Sequence, residues 1–131
     1  MSEEFFKKLK ELDLPKGKYA VFGSGPIAVR GLRESRDLDI LVVQDLYNEY
    51  KNKPDWEEKT GNQDKYLEKD DIEFWYNWSP GEWDVDQLIK DAEIIDDLPF
   101  VKLEDVLRWK KLKGTEKDLK DIKLIEKYLK L

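Results

Sequence analysis

One stretch constrains the fold more than any other: Asp37-Leu38-Asp39-Ile40-Leu41-Val42-Val43 closes in four consecutive aliphatic residues behind two carboxylates. A short unbroken run of this kind reads as a strand buried on both faces, so helices must cover the sheet that holds it. A second run, Lys18 to Phe22, is aromatic and β-branched and leads directly into Gly23-Ser24-Gly25-Pro26. That pattern predicts a strand, a tight turn and a helix starting near Pro26.

The rest of the chain supplies the covering layers. Phe5, Phe6, Leu9 and Leu12 fall at helical spacing after Ser2, and Pro15-Lys16-Gly17 stops the helix. Residues 44 to 52 read as helix. From Trp56 the pattern alternates poorly; Tyr66-Leu67 and Ile72 to Tyr76 then read as strands joined by Lys69-Asp70-Asp71, and Ser79-Pro80-Gly81 ends the unit. Val85 to Ala92 is predicted as a short helix, with extended pieces at Ile94-Ile95 and Phe100-Val101 around Pro99. Leu103 to Leu112 forms a helix closed by Gly114, and a last helix from about Glu116 to Leu129 aligns Ile122, Ile125 and Leu129. The expected class is α/β or α+β, a mixed β-sheet flanked by helices with C-terminal helices.

Composition narrows the chemistry. The 131 residues suit one domain spanning 1–131, and five Trp, six Tyr and five Phe supply a core despite 41% charged residues. Cys and His are both absent, which removes disulfides, thiol nucleophiles, Cys/His zinc sites and histidine proton shuttles. Catalysis must then run on carboxylates, lysines, hydroxyls or a metal held by oxygen. No apolar run approaches a membrane span, and the acidic start Met1-Ser2-Glu3-Glu4 is unlike a signal peptide, so a cytoplasmic location is expected. Lys and Glu in abundance with one Met fit a thermophilic source. The net charge of −6 divides into +4 over residues 102–131 and −10 elsewhere, a poor balance for sequence-independent nucleic-acid binding.

Three features carry chemistry. Asp37 and Asp39 lie two apart on a strand, so both leave one face while Leu38 and Ile40 leave the other. Such a pair suits Mg²⁺, or simply solvated acids at a strand end. Glu73, flanked by Ile72 and Phe74, alternates an acid into a hydrophobic strand. If the two strands are neighbours, three carboxylates converge; otherwise Glu73 faces solvent on an edge strand. Gly23 and Ser24 aim backbone N–H groups and a hydroxyl outward where an anion could sit, or form an ordinary turn. Of the tryptophans, Trp75, Trp78 and Trp83 cluster after Glu73 and either join the core or line a base or acceptor pocket.

Gly23-Ser24, twelve residues, Asp37-Leu38-Asp39, and later Ile72-Glu73-Phe74 together resemble the Gly-Ser … Asp-x-Asp … hydrophobic-acid-hydrophobic signature of the nucleotidyltransferase (DNA polymerase β-like) superfamily. Arg30 and Ser35 fall where many members carry an Arg and a Ser. Lys110 … Gly114 … Lys117-Asp118 … Asp121 resembles a C-terminal segment of small minimal and abortive-infection-type members, with Thr115 where they often have Arg. The resemblance implies a nucleotidyltransferase fold in which Gly23, Ser24, Arg30, Ser35, Lys110 and Lys117 bind the nucleotide. Asp37, Asp39 and Glu73 would be catalytic and hold Mg²⁺, Glu73 alternatively taking the acceptor's proton. Read without the resemblance, Lys117, Asp118 and Asp121 form a helix start with exposed charge pairs.

The expected function is Mg²⁺-dependent transfer of a nucleoside monophosphate from an NTP, ATP first among them, to an unknown acceptor hydroxyl on a small molecule, a protein or an RNA end. The alternative is a non-catalytic nucleotide-sensing or partner-binding protein, half of a toxin–antitoxin-like pair. A protein partner or a homodimer is compatible with either.

Overall fold

The computed structural model describes residues 2–61 and 64–131, so Met1 of the acidic start lies outside the described residues. Among the described residues, seven strands form one mixed sheet in the order β3-β4-β5-β2-β1-β7-β6. The strands are β1 (Tyr19–Phe22), β2 (Leu38–Val42), β3 (Glu57–Gly61), β4 (Asp64–Lys69), β5 (Ile72–Trp75), β6 (Glu93–Ile95) and β7 (Leu98–Phe100). The helices are α1 (Ser2–Glu11), α2 (Gly25–Ala28), α3 (Gln44–Lys51), α4 (Val85–Lys90), α5 (Leu103–Lys113) and α6 (Glu116–Leu129). β2 runs antiparallel to β1 and parallel to β5, while β1 runs parallel to β7. The expected class, a mixed sheet flanked by helices with helices at the C-terminus, is what the chain adopts.

The alternation of side chains sorts the core into two layers. Val21, Leu38, Ile40, Val42 and Phe74 pack on one face of the sheet with Leu9 of α1 and Tyr47 of α3. Ala20, Phe22 and Leu41 pack on the other with Val106 of α5 and Ile122 and Ile125 of α6. Both faces of the β1–β2 centre are therefore covered, as the aliphatic run from Ile40 requires. Asp39 alternates with Ile40 and so faces the α5–α6 layer, where the register sets it beside Phe22 and Glu73.

Most predicted elements are present, with two differences. β3, Glu-Glu-Lys-Thr-Gly, is a strand although its sequence carries no apolar alternation. It is an edge strand whose partner β4 supplies the pairing, so its side chains need not be apolar. The second difference concerns α6. Thr115 caps it with a reciprocal capping box, its hydroxyl taking the Asp118 N–H while the Asp118 carboxylate takes the Thr115 N–H. Asp118 and Asp121 are buried, at 1% and 2% exposure, which corrects the expectation of exposed charge pairs. Among the described residues no helix is long and apolar enough to cross a membrane.

Candidate active site

Three strands meet at the site. In the register of β1, β2 and β5, Phe22 lies opposite Asp39 and Asp39 opposite Glu73. Neighbouring strands lie about 4.8 Å apart, so Asp39 and Glu73 are forced into contact. Asp37 precedes β2 by one residue and adds its charge to both of them. The three acids named from sequence spacing are thus brought together by a parallel β2–β5 pairing.

Their electrostatics follow from this crowding. Burial first, and then the charges of Glu73 and Asp37, push the Asp39 carboxyl well above its ordinary range. Burial also raises Glu73, with Asp37 adding to the effect; hydrogen bonds from Asp39 and from Trp75 Nε1, 3.1 Å from Oε1, oppose it. Crowding and burial thus hold both carboxyls above the ordinary carboxylate range, Asp39 the more so. Asp37 is raised by burial and by the Asp71 charge, while Lys117 and Arg33 pull it down.

Gly23 makes the close approach possible. Its φ is +62°, and a Cβ built there would stand 2.5 Å from Asp39 Oδ2. We expect Gly23→Ala to cost about 1–2 kcal/mol from the left-handed backbone alone and to displace the Asp39 carboxylate as well. Urea unfolding measures the combined effect, and a variant as stable as wild type contradicts this geometry.

The Ser24 side chain does not cap α2. Its Oγ lies 2.6 Å from Ser35 Oγ, and Ser35 in turn donates to the Asp37 carbonyl. Each hydroxyl has one proton, so Ser24 must be the donor to Ser35, and its lone pairs remain for the site. The Ser35 N–H donates to Ser2 Oγ at 2.8 Å, and the Ser2 hydroxyl donates to Glu34 at 2.6 Å. The loop ahead of β2 is thereby tied both to the Gly-Ser turn and to the start of α1.

The other candidates separate. Arg30 bonds the Pro26 carbonyl at 2.7 Å and Glu93 at 3.4 Å, and lies over the Tyr128 ring, so its contacts are on α2, β6 and α6. Lys110 is buried at 3% exposure between Asp121 at 2.9 Å and Asp118 at 3.3 Å. Arg33 closes the same cluster with two bonds to Asp121, at 2.7 and 2.8 Å. Lys117 is exposed and within electrostatic reach of Asp37. The sequence reading missed Lys113, which lies 3.5 Å from Asp118 and over the Trp109 ring and feels the Asp39 charge. Its place among three lysines near the end of α5 gave no signal to single it out.

The tryptophans divide too. Trp78 stacks on Phe22 at 4.8 Å and touches Trp109, while Trp83 meets the Phe22 edge, so these rings wall the apolar layer behind the Gly-Ser turn. Trp75 is half-buried, stacks on Tyr66 at 4.4 Å and holds Glu73. A cavity of about 440 Å³ opens at the far ends of β2 and β5, lined by Val43, Gln44, Tyr76, Asn77 and Trp83 among others, and contains none of the three acids.

The donor set fits a hard cation: three carboxylates and a hydroxyl, all oxygen. Among the described residues, however, no three acids stand in metal-holding geometry. Like charges this close are relieved by a proton or by a cation.

No family model matches the chain, and no curated protein matches it. Among solved structures it is similar to an antigenic nucleotidyltransferase-like protein from Paracoccidioides brasiliensis, at 17% identity and a TM-score of 0.43. That likeness covers 91% of this chain and 70% of the other.

Proposed function

We propose that this protein is a Mg²⁺-dependent nucleotidyltransferase, moving a nucleoside monophosphate from an NTP, ATP in the first place, to an acceptor hydroxyl. The observation that carries the reading is the juxtaposition of Asp39 with Glu73 across β2 and β5, with Asp37 alongside and Gly23 pressed against the Asp39 carboxylate. Three half-buried carboxylates crowded together are unfavourable for the fold, and a cationic ligand would relieve them.

Asp37, Asp39 and Glu73 would hold Mg²⁺, which when bound neutralises charge on the phosphates and orients them for in-line displacement. The chain's own residues do the rest. Gly23 lets a phosphate approach the backbone without a side chain in the way. Ser24, its proton committed to Ser35, offers lone pairs, and Lys117 brings a positive charge to the Asp37 side. Trp75 orients Glu73 through Oε1, and where Glu73 does not ligate the metal its carboxylate would take the proton of the acceptor hydroxyl. The acceptor oxygen then bonds the α-phosphorus as the bond to the β-phosphate oxygen breaks, releasing pyrophosphate.

A second reading, a module that binds nucleotide or a protein partner without turnover, is favoured by one observation: among the described residues no three acids stand in metal-holding geometry. A thermal-shift titration with ATP, GTP, CTP and UTP, each with and without Mg²⁺, separates the two. A nucleotide at a hundredfold its Kd adds about 2.7 kcal/mol of stability. We expect at least one NTP to stabilise the wild type only when Mg²⁺ is present, and Asp37→Asn to abolish the effect. A Mg²⁺-independent shift, or none, replaces the enzyme reading with the binding one.

A further inference from the structure

We infer that Lys113, and not the buried Lys110, is the cation that meets the phosphate chain of the substrate. The inference rests on the nucleotide-binding reading above and assigns one of its contacts to a residue outside the sequence signature. Lys110 has no face to offer: its side chain is 4% exposed and its ammonium sits between Asp118 and Asp121. Asp121 is also gripped by two bonds from Arg33, from Nε and from one terminal nitrogen, and one oxygen of Asp118 takes the N–H and the hydroxyl of Thr115.

Three cations, Arg33, Lys110 and Lys113, therefore share two carboxylates. The excess charge falls on the most loosely held of them. Lys113 reaches Asp118 at only 3.5 Å, against 2.7 Å for Arg33 and 2.9 Å for Lys110 on Asp121, and its side chain is 32% exposed. Its ammonium rests 4.3 Å from the centroid of the Trp109 ring, a soft contact that a phosphate oxygen readily outcompetes. Trp109 packs on Phe22 and Trp78, so the lysine is held beside the strand that ends in the Gly-Ser turn.

Its surroundings also suit an anion. Burial and the Lys110 charge push the Lys113 ammonium down, and Asp118 and Asp39 push back. An arriving phosphate would add to the second pair. Acids on the sheet and this lysine on the α5–α6 hairpin thus present opposite charges to the two halves of a metal–polyphosphate.

Isothermal titration of the full chain with inorganic tripolyphosphate and with Mg·ATP tests the inference. The variants are Lys113→Gln, Lys113→Arg and, as a surface control, Lys111→Gln, whose lysine is 55% exposed beside Glu126. Losing one charge-assisted contact should weaken binding of both probes by about tenfold or more in Lys113→Gln. Lys113→Arg should recover most of that loss, Lys111→Gln should change little, and the melting temperature of each unliganded variant should stay close to wild type. Lys113→Gln binding both probes like wild type overturns the inference. A wild type that binds tripolyphosphate, with the Lys113 dependence, but no NTP leaves the anion site standing and refutes the nucleotidyltransferase reading. A wild type that binds neither refutes both.

Discussion

Asp39→Asn is expected to raise the melting temperature of the protein while removing its Mg²⁺-dependent response to nucleotide. In the wild type Asp39 is buried against Glu73 with Asp37 close by, and burial and these charges raise its carboxyl well above the ordinary value of 3.8. A group with a raised folded value binds more protons in the folded state than in the unfolded one. Its neutral form is therefore favourable below the ordinary carboxylate range, and stability is lost as pH rises through the raised value. An uncharged amide of the same shape keeps this position neutral at every pH and so removes the crowding with Glu73 and Asp37. The gain should be on the order of 1–3 kcal/mol, given unit charges a few ångströms apart at an effective dielectric near 20. At roughly 4 °C per kcal/mol for a chain of this size, calorimetry resolves it easily. The same substitution removes an oxygen donor and the charge that would hold a cation, so nucleotide plus Mg²⁺ should no longer add stability. A variant that melts lower than wild type at pH 7 contradicts the crowding argument, and one that keeps the Mg²⁺ response contradicts the site.

Lys110→Met should have the opposite sign and a larger size. It leaves Asp118 and Asp121, 1% and 2% exposed, short of their shared cation. Removing one partner of a buried ion pair costs about 3–5 kcal/mol, because the remaining charge stays desolvated. A fall of roughly 10–20 °C in melting temperature follows. The acid limb supplies a second readout. Burial raises both carboxyls, but the Thr115 hydroxyl and N–H for Asp118, and Arg33 and Lys110 for Asp121, more than compensate, so both end below 3.8. Their contribution to stability is present above that value and is lost as pH falls through the depressed one. Without Lys110 the depression shrinks, and the loss of stability between pH 4 and 2 should flatten relative to wild type, as pH-dependent urea unfolding would show. A change in stability below about 1 kcal/mol would mean that the cluster relaxes into water and that its burial is not structural.

Much of the architecture was legible because it depends on local pattern. Period-two alternation in Leu38-Asp39-Ile40 assigns the acid and the aliphatic residues to opposite faces whatever the partner strands are, and the core divides along that line. The Gly23-Ser24 turn, Gly114 with its φ of +64° after α5, and the apolar spacing of α6 are equally local. β3 escaped because an edge strand takes its order from its neighbour, and nothing in Glu-Glu-Lys-Thr-Gly announces one.

The site divides in the same way. Sequence by itself determined which acids were available and which face of its strand each would occupy, since those follow from spacing and from a chain without Cys or His. Only the tertiary structure decided that β2 and β5 are parallel neighbours in the register that sets Asp39 against Glu73. It also decided which lysine is free. Arg33 is 88 residues from Asp121 in the chain, and burial of these charges with Lys110 is settled by which of them find one another. Lys113 is left at the edge of that cluster, partly exposed and 3.5 Å from Asp118, because the closer contacts are already made. Alternation is a property of the backbone, whereas the neutralisation of a buried charge belongs to whatever the fold brings within a few ångströms of it.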